Sequence, residues 1–346
     1  HEAFLKDSDL VDGVCPDHKT KPQKMELESY FFRLSKYAKK LKELIETGRI
    51  NIVPQKRRNE MLSFIDSGLE DVSISRPKSQ LSWGIEVPDD SEHVMYVWFD
   101  ALTNYISAIG YENDSEKFQK YWPANVHVIG KDIARFHCLL WPAMLLSGGL
   151  EVPQAVYIHG FITNDGQKMS KSLGNIIDPV DFSNQHGSDA LRYYLLRYIP
   201  SYNDGDFSSS RFEEVYNADL ANTLGNLVSR LVVMINKYSG GKYQKQSVKA
   251  AEIADYMANF QFDRALEEIF ARLTELNVAI DENKPWEVYK TDPQKATAVL
   301  DGLASELEEL GQSLRPFMPE TAEEISKILQ AGKVSSAAKV LFPKIQ

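Results

Sequence analysis

The chain has little cysteine: Cys15 and Cys138 are the only two in 346 residues, and they sit in unrelated surroundings. A disulfide framework is therefore not expected, and a reducing compartment fits. Long apolar runs are missing too. The richest stretch, 138–150, is too short for a membrane span and is interrupted by Pro142 and Gly148-Gly149. No signal-peptide pattern opens the chain, because Glu2, Lys6, Asp7 and Asp9 break any apolar run. Positive charge is not in excess: 39 Lys and Arg stand against 49 Asp and Glu, a formal net charge of −10. That argues against indiscriminate coating of nucleic acid, although a local basic patch can still bind one RNA. No internal repeat or low-complexity segment stands out. What is present is ordinary for a globular protein, 43% hydrophobic and 25% charged, and long enough for two or more cored domains.

The pattern along the chain changes twice. Residues 1–23 are polar and loop-like. Apolar residues at three-four spacing from Tyr30 to Ile45 predict a helix from about Ser29 to near Gly48; Pro54 opens a second, stopped by Gly68. Residues 72–87 alternate as strands do, around a turn at Trp83-Gly84-Ile85. Three strand-like runs follow, 93–98, 125–130 and 155–162, separated by helical patterns at 101–109 and 132–146, the latter kinked at Pro142. Strands alternating with helices predict a parallel sheet with ligands at the strand carboxyl ends. After Pro179, segments 188–198, 210–238, 248–280, 285–288, 295–314 and 319–329 all fit helical periodicity, so an all-α bundle follows. The expected fold class is α/β plus all-α.

Just beyond the third strand run stands Lys168-Met169-Ser170-Lys171-Ser172, preceded by Asn164-Asp165-Gly166-Gln167 and followed by Leu173-Gly174-Asn175. Two compact ammonium groups three apart can follow a phosphate chain as its charge redistributes, and small neighbours let the backbone approach a ligand. The plain alternative is a solvated Lys/Ser loop. The block resembles the signature loop of class I aminoacyl-tRNA synthetases, which binds ATP phosphates during amino-acid activation. Three further blocks stand in the order found in the methionyl-tRNA synthetases: Glu28-Ser29-Tyr30-Phe31-Phe32-Arg33-Leu34-Ser35-Lys36-Tyr37, Val97-Trp98-Phe99-Asp100-Ala101-Leu102-Thr103-Asn104-Tyr105 and His127-Val128-Ile129-Gly130-Lys131-Asp132-Ile133. Downstream, Asn222-Thr223-Leu224-Gly225-Asn226-Leu227-Val228-Ser229-Arg230 and Asn283-Lys284-Pro285-Trp286 resemble the anticodon-binding domain of that family. The resemblance runs over essentially the whole chain.

The resemblance implies a methionine–tRNA ligase that activates methionine with ATP and Mg²⁺ and transfers it to methionine tRNA. Carried over residue by residue, the methionine pocket would be Trp98, Ala101, Leu102, Tyr105, Ile133 and His137. A thioether suits such a pocket, being apolar, polarisable and drawn to aromatic edges, with Tyr105 or His137 able to donate to sulfur. Ile133 and His137, four apart, would share a helix face. Core packing is the alternative role for Trp98, Tyr105 and His137. ATP and the adenylate would be held by Gly130, Asp132, Lys168, Met169, Ser170, Lys171 and Ser172. Lys168 and Lys171 would be the catalytic pair, stabilising in-line displacement at the α-phosphate, and Lys171 the transition-state contact. Helix capping is the alternative for Asp132. Asn226, Arg230 and Trp286 would contact the tRNA anticodon, by base-edge hydrogen bonds and stacking, against a packing role for Trp286 and a surface ion pair for Arg230.

The resemblance also divides the chain. Residues 1–75 would be the insertion (connective peptide) with a degenerate zinc knuckle and the helices after it; 76–165 the second half of a Rossmann-type catalytic domain; 166–207 the Lys168 loop and stem-contact region; and 208–346 the helical anticodon-binding domain. Cys15-Pro16-Asp17-His18 offers one thiol and one imidazole where a structural zinc wants four ligands, so no metal site is expected. The His-Ile-Gly-His signature of the class does not occur, and the chain begins at His1. The expectation is a fragment or processed form whose preceding segment of roughly one hundred residues, a half fold of this class, lies elsewhere. Half a parallel sheet would leave a face and an edge to be covered, and these 346 residues alone are expected to aminoacylate little. The alternative function is a catalytically incomplete fragment or paralogue that binds tRNA and methionine. A cysteinyl, valyl or isoleucyl enzyme is a third, opposed by the Trp98–Tyr105 and Trp286 blocks. Cytoplasm is the expected location, with mitochondrion second; no membrane partner is expected, and oligomeric state is left open.

Overall fold

The computed structural model describes residues 10–15, 20–22, 28–169, 175–330, 332–335 and 340–345. The chain forms two compact units, one from His1–Ile50, Asn59–Asn125 and Arg135–Gln154, the other from Asn51–Arg58, Val126–Ala134 and Ala155–Gln346. In chain order the elements up to the second unit's main body are β1 (Phe31–Phe32), α1 (Ala38–Glu46), β2 (Asn51–Val53), α2 (Gln55–Asp66), β3 (Val72–Ser73), β4 (Ser75–Pro77), β5 (Glu86–Val87), β6 (Asp90–Met95), α3 (Val97–Ala101), α4 (Asn104–Ser107), α5 (Ser115–Tyr121), β7 (His127–Gly130), α6 (Trp141–Ser147) and β8 (Ala155–His159). Then come β9 (Ile162–Asn164), β10 (Gln167–Lys168), α7 (Pro179–His186), α8 (Ser188–Arg197), β11 (Gly205–Phe207), α9 (Ser209–Val215), α10 (Asn226–Ser239), α11 (Ala254–Ala258), α12 (Phe262–Asn283), α13 (Pro285–Thr291), α14 (Pro293–Ser313), α15 (Pro319–Ile328), β12 (Leu329–Gln330) and β13 (Lys333–Val334).

The first unit holds two small antiparallel sheets, the pair β1-β3 and the sheet β4-β6-β5. Its core gathers Leu102, Ile106, Trp122, Leu140, Trp141 and Leu145, with Trp98, Tyr105 and Phe136 packed against them. Three sequence expectations change here. The helix expected from about Ser29 starts as a strand, because Tyr30 gives its N–H to Ser75 Oγ and its carbonyl to Ile74; a 3₁₀ turn at Leu34–Tyr37 then leads into α1. The run 93–98 is not a strand of the parallel sheet. Its first half lies in antiparallel β6, and Tyr96 caps α3, which contains Val97 and Trp98. The helix expected at 101–109 is accordingly two short ones, α3 and α4.

The second unit contains the parallel sheet, in order β2-β8-β7. Its third strand is Asn51–Val53, the three residues immediately before Pro54, in place of 93–98. The expected strand 155–162 divides at Gly160, where any Cβ would collide with the Asn203 carbonyl; β9 then joins a second sheet, β10-β9-β11. The remaining helices pack around Leu224, Leu227, Leu231, Leu266, Ile269, Leu273, Leu300 and Leu307, all essentially unexposed. The expected helix 210–238 is one helical run whose middle, Tyr216–Gly225, is π-helical. The pattern at 248–280 breaks before Phe262, giving short α11 and long α12, and α13 extends to Thr291.

The helical stretch expected at 132–146 is a 3₁₀ turn at Lys131–Ile133, a π segment at Phe136–Leu140 and then α6. Pro142 has no N–H to give to the carbonyl four residues back, and the turn ahead of it widens.

Candidate active site and RNA-binding face

In the first unit, α3 and α4 carry Trp98, Ala101 and Tyr105, and the π segment carries His137. Tyr105 Oη and His137 Nε2 are hydrogen-bonded at 2.9 Å. The Trp98 ring meets His137 edge-on at 6.4 Å between centroids and stacks on Phe136 at 4.5 Å with planes 13° apart. His137 is 1% exposed, and burial raises the Tyr105 phenol above its ordinary value, so it stays protonated and can donate. Cys138 beside it is fully buried and its thiol is likewise pushed up by burial, leaving a neutral wall. Trp98, Tyr105 and His137 are therefore brought together. Leu102, 1% exposed, lies in the core beneath them with Ile106 and Trp141. Phe136 was missed; one more aromatic beside an apolar run reads as core. The result is an aromatic corner with one hydrogen-bonded phenol–imidazole pair, suited to a polarisable apolar group that accepts weakly. Ile133 belongs to the second unit, where it is half-buried and closes the 3₁₀ turn.

In the second unit, β7 ends at Gly130, in register with His159 at the end of β8. A Cβ at Gly130 would lie 2.8 Å from Asp132 Oδ1, so glycine is what lets that carboxylate fold over the strand end. Asp132 does not cap the turn; its exposed carboxylate has no hydrogen bond or ion pair with the described residues. Lys131 is turned to Asp204 at 2.6 Å and lies over the Phe161 ring at 4.5 Å. That bond, with the Phe161 N–H at 2.8 Å, holds the Asp204 carboxyl below the usual range. His159 Nδ1 lies 2.8 Å from the Gly160 carbonyl. The carboxyl end of the parallel sheet thus presents Gly130, Asp132 and His159, the kind of edge where α/β folds bind ligands. His159 was not singled out from sequence, since a lone His at a strand end carries no pattern.

Lys168 ends the two-residue strand β10, opposite Thr163 of β9, and Met169 after it is half-buried. Ser170, Lys171 and Ser172 lie outside the described residues. So do Asp17 and His18 of the knuckle remnant, where Cys15 is buried with its N–H on the Thr20 carbonyl. Among the described residues no group of three or more His, Cys, Asp or Glu could hold a metal ion.

On the bundle, Asn226 is exposed at the start of α10, and Arg230 one turn on reaches Asp281 of α12 at 2.5 Å. Trp286 sits in the first turn of α13, half-buried against the bundle core. Arg230 thus makes an ion pair and Trp286 packs, while each keeps part of its side chain at the surface.

The family model for class I tRNA synthetases (M) matches residues 2–232, two thirds of the chain. The chain belongs to the methionyl-tRNA synthetase family of class I. A second model, the anticodon binding domain of methionyl tRNA ligase, matches residues 242–345. Relatives in the family include the methionine–tRNA ligase of Caldanaerobacter subterraneus subsp. tengcongensis, 43% identical over 99% of this chain and 59% of its own length. That of Brucella melitensis is 46% identical over 89% of this chain and 62% of its own length. The chain thus spans about three fifths of the curated relatives it matches. Among solved structures, the Mycobacterium tuberculosis methionyl-tRNA synthetase in complex with methionyl-adenylate has a TM-score of 0.88 at 36% identity, covering 99% of this chain and 74% of that one. Its apo form gives 0.84 at 33% identity, covering 96% and 72%. The α/β-plus-helical-bundle class expected from sequence is the family's fold.

Proposed function

We propose that the protein takes part in methionine–tRNA ligation, activating methionine with ATP, supplied as its magnesium complex, and passing the methionyl group to methionine tRNA. The observation that carries this is the Trp98–Tyr105–His137 corner. It offers aromatic edges and a phenol–imidazole pair to a side chain the size and softness of a thioether. Trp98, Ala101, Tyr105 and His137 line the methionine pocket in this reading, with Leu102 backing it from the core, and Ile133 is kept as a methionine contact on the family motif alone. Gly130 and Asp132 meet the nucleotide at the sheet edge. Lys168, Met169, Ser170, Lys171 and Ser172 serve the phosphates, and Lys168 and Lys171 offset the charge that develops as the methionine carboxylate displaces pyrophosphate from the α-phosphorus. No protein nucleophile is needed; positioning and charge compensation do the work.

Asn226, Arg230 and Trp286 read the anticodon in the same proposal, and the functional segments are 1–75, 76–165, 166–207 and 208–346. A cytoplasmic location belongs to the same proposal; no helix of the described residues is long and apolar enough to cross a membrane. The deciding experiment is ATP–pyrophosphate exchange by the protein as encoded. Methionine should stimulate it well above cysteine, valine or isoleucine; equal stimulation by any of these would overturn the methionine assignment.

A further inference from the structure

The segment carrying Lys168 is held by a residue outside it. Strand β9 is the middle of its sheet, and Thr163 at its centre has Lys168 opposite on one side and Asp206 opposite on the other. Asp206 Oδ1 accepts the Thr163 hydroxyl at 2.5 Å and the Gly166 N–H at 2.7 Å. Asp165 (φ 49°) and Gly166 (φ 74°) form a two-residue turn with both φ positive. Such a turn joins β9 to β10, and strands this short do not hold a hairpin without a third partner. Strand β11 is that partner. Its Phe207 carbonyl accepts the Asp165 N–H at 3.1 Å, and Asn164 Nδ2 donates to the Asn175 carbonyl at 2.8 Å. Successive residues of a strand point to opposite faces. While Asp206 faces the hairpin, Phe207 is 3% exposed in the bundle core, ringed by Phe182, Tyr194 and Phe212.

We propose that Asp206 is a positioning residue for adenylate formation, fixing through Thr163 and Gly166 the backbone of the hairpin to which Lys168 belongs. The inference rests on the adenylation reading given above. A single oxygen takes both bonds, so the device needs an acceptor there and not a charge, and Asn should serve.

The test uses the protein as encoded. Asp206→Ala should lower the kcat of methionine-dependent ATP–pyrophosphate exchange about tenfold or more, the scale expected when a reacting group is displaced by an ångström or less. The equilibrium affinity for methionine should not change, and Asp206→Asn should recover most of the rate. In a Lys168→Ala background Asp206→Ala should cost nothing further, because two residues acting as one unit are not additive. Wild-type kcat in Asp206→Ala, equal loss in the Ala and Asn variants, or a fully additive double variant would each overturn the proposal. Amide hydrogen exchange at Gly166 gives a readout apart from activity: slow in wild type and Asp206→Asn, fast in Asp206→Ala. A protein with no methionine-dependent exchange at all would refute the adenylation reading instead, and Gly166 protection alone would then decide whether Asp206 sets the hairpin.

Discussion

Tyr105 and His137 share a hydrogen bond where the imidazole has almost no access to water. Deleting the hydroxyl costs His137 this bond without opening a large cavity, a loss of about 1–3 kcal/mol for a buried polar group. Tyr105→Phe is therefore expected to raise the methionine KM about tenfold and leave the exchange kcat nearly unchanged. Steady-state exchange with methionine varied would check this, and an unaltered KM would remove Tyr105 from the pocket. At this scale part of the candidate site could be read from sequence, because Trp98 and Tyr105 stand in a block shared with a family and His137 follows the end of another, Ile133, at helical spacing. Phe136 and Asp206 could not be. A ring beside an apolar run and an acid in a loop become informative only when a partner far along the chain is known: Asp206 meets Thr163 across 43 positions.

Among the elements, long helices were legible because three-four periodicity repeats many times, as in α12 and α14. Strands of two or three residues carry too little pattern, so Asn51–Val53 went unnoticed and 93–98 was assigned to the wrong sheet; nothing local says which strand a strand will pair with. The π segment Tyr216–Gly225 was equally silent, its composition being that of an α-helix. Its setting shows how it is held. Tyr193 and Tyr198, inside and at the end of α8, both donate to Asp219 Oδ2, at 2.7 and 2.5 Å. Burial, and then the Asp219 carboxylate, hold the Tyr193 phenol well above its ordinary value and push Tyr198 up to about 12. Both groups are neutral when protonated, and the folded state keeps the proton longer than the unfolded chain. Their contribution is thus complete below about pH 10 and lost as pH rises from there toward 12. Denaturant midpoints measured from pH 8 upward should fall above pH 10, and Tyr198→Phe should flatten that fall. A slope identical in the two proteins would mean that the α8 contact does not sense the proton.

For the whole molecule, an acidic chain that binds RNA, as proposed here, must confine that binding to a small face. The expectation of a specific rather than a general RNA ligand came from the net charge of −10, and the bundle concentrates the candidate contacts on α10 and α13. A base stacked on an aromatic contributes about 1–3 kcal/mol. Trp286→Ala should accordingly lower kcat/KM for tRNA charging about tenfold or more while methionine-dependent pyrophosphate exchange stays at the wild-type rate. Parallel loss of both activities would make Trp286 a packing residue only. The two-unit division was only partly visible in the sequence. Each unit is assembled from three separate segments, and segment exchange leaves no local mark.

Both cysteines are buried, Cys15 at 3% and Cys138 at 0% exposure, and burial keeps the Cys138 thiol from ionising. A thiol that is neither accessible nor ionised reacts slowly with alkylating reagents. A single cysteine introduced on the surface would therefore take a fluorophore or spin label ahead of the two native thiols. Cys138, next in sequence to His137, serves as the complementary gauge, since its alkylation measures how often the helix behind the aromatic corner opens.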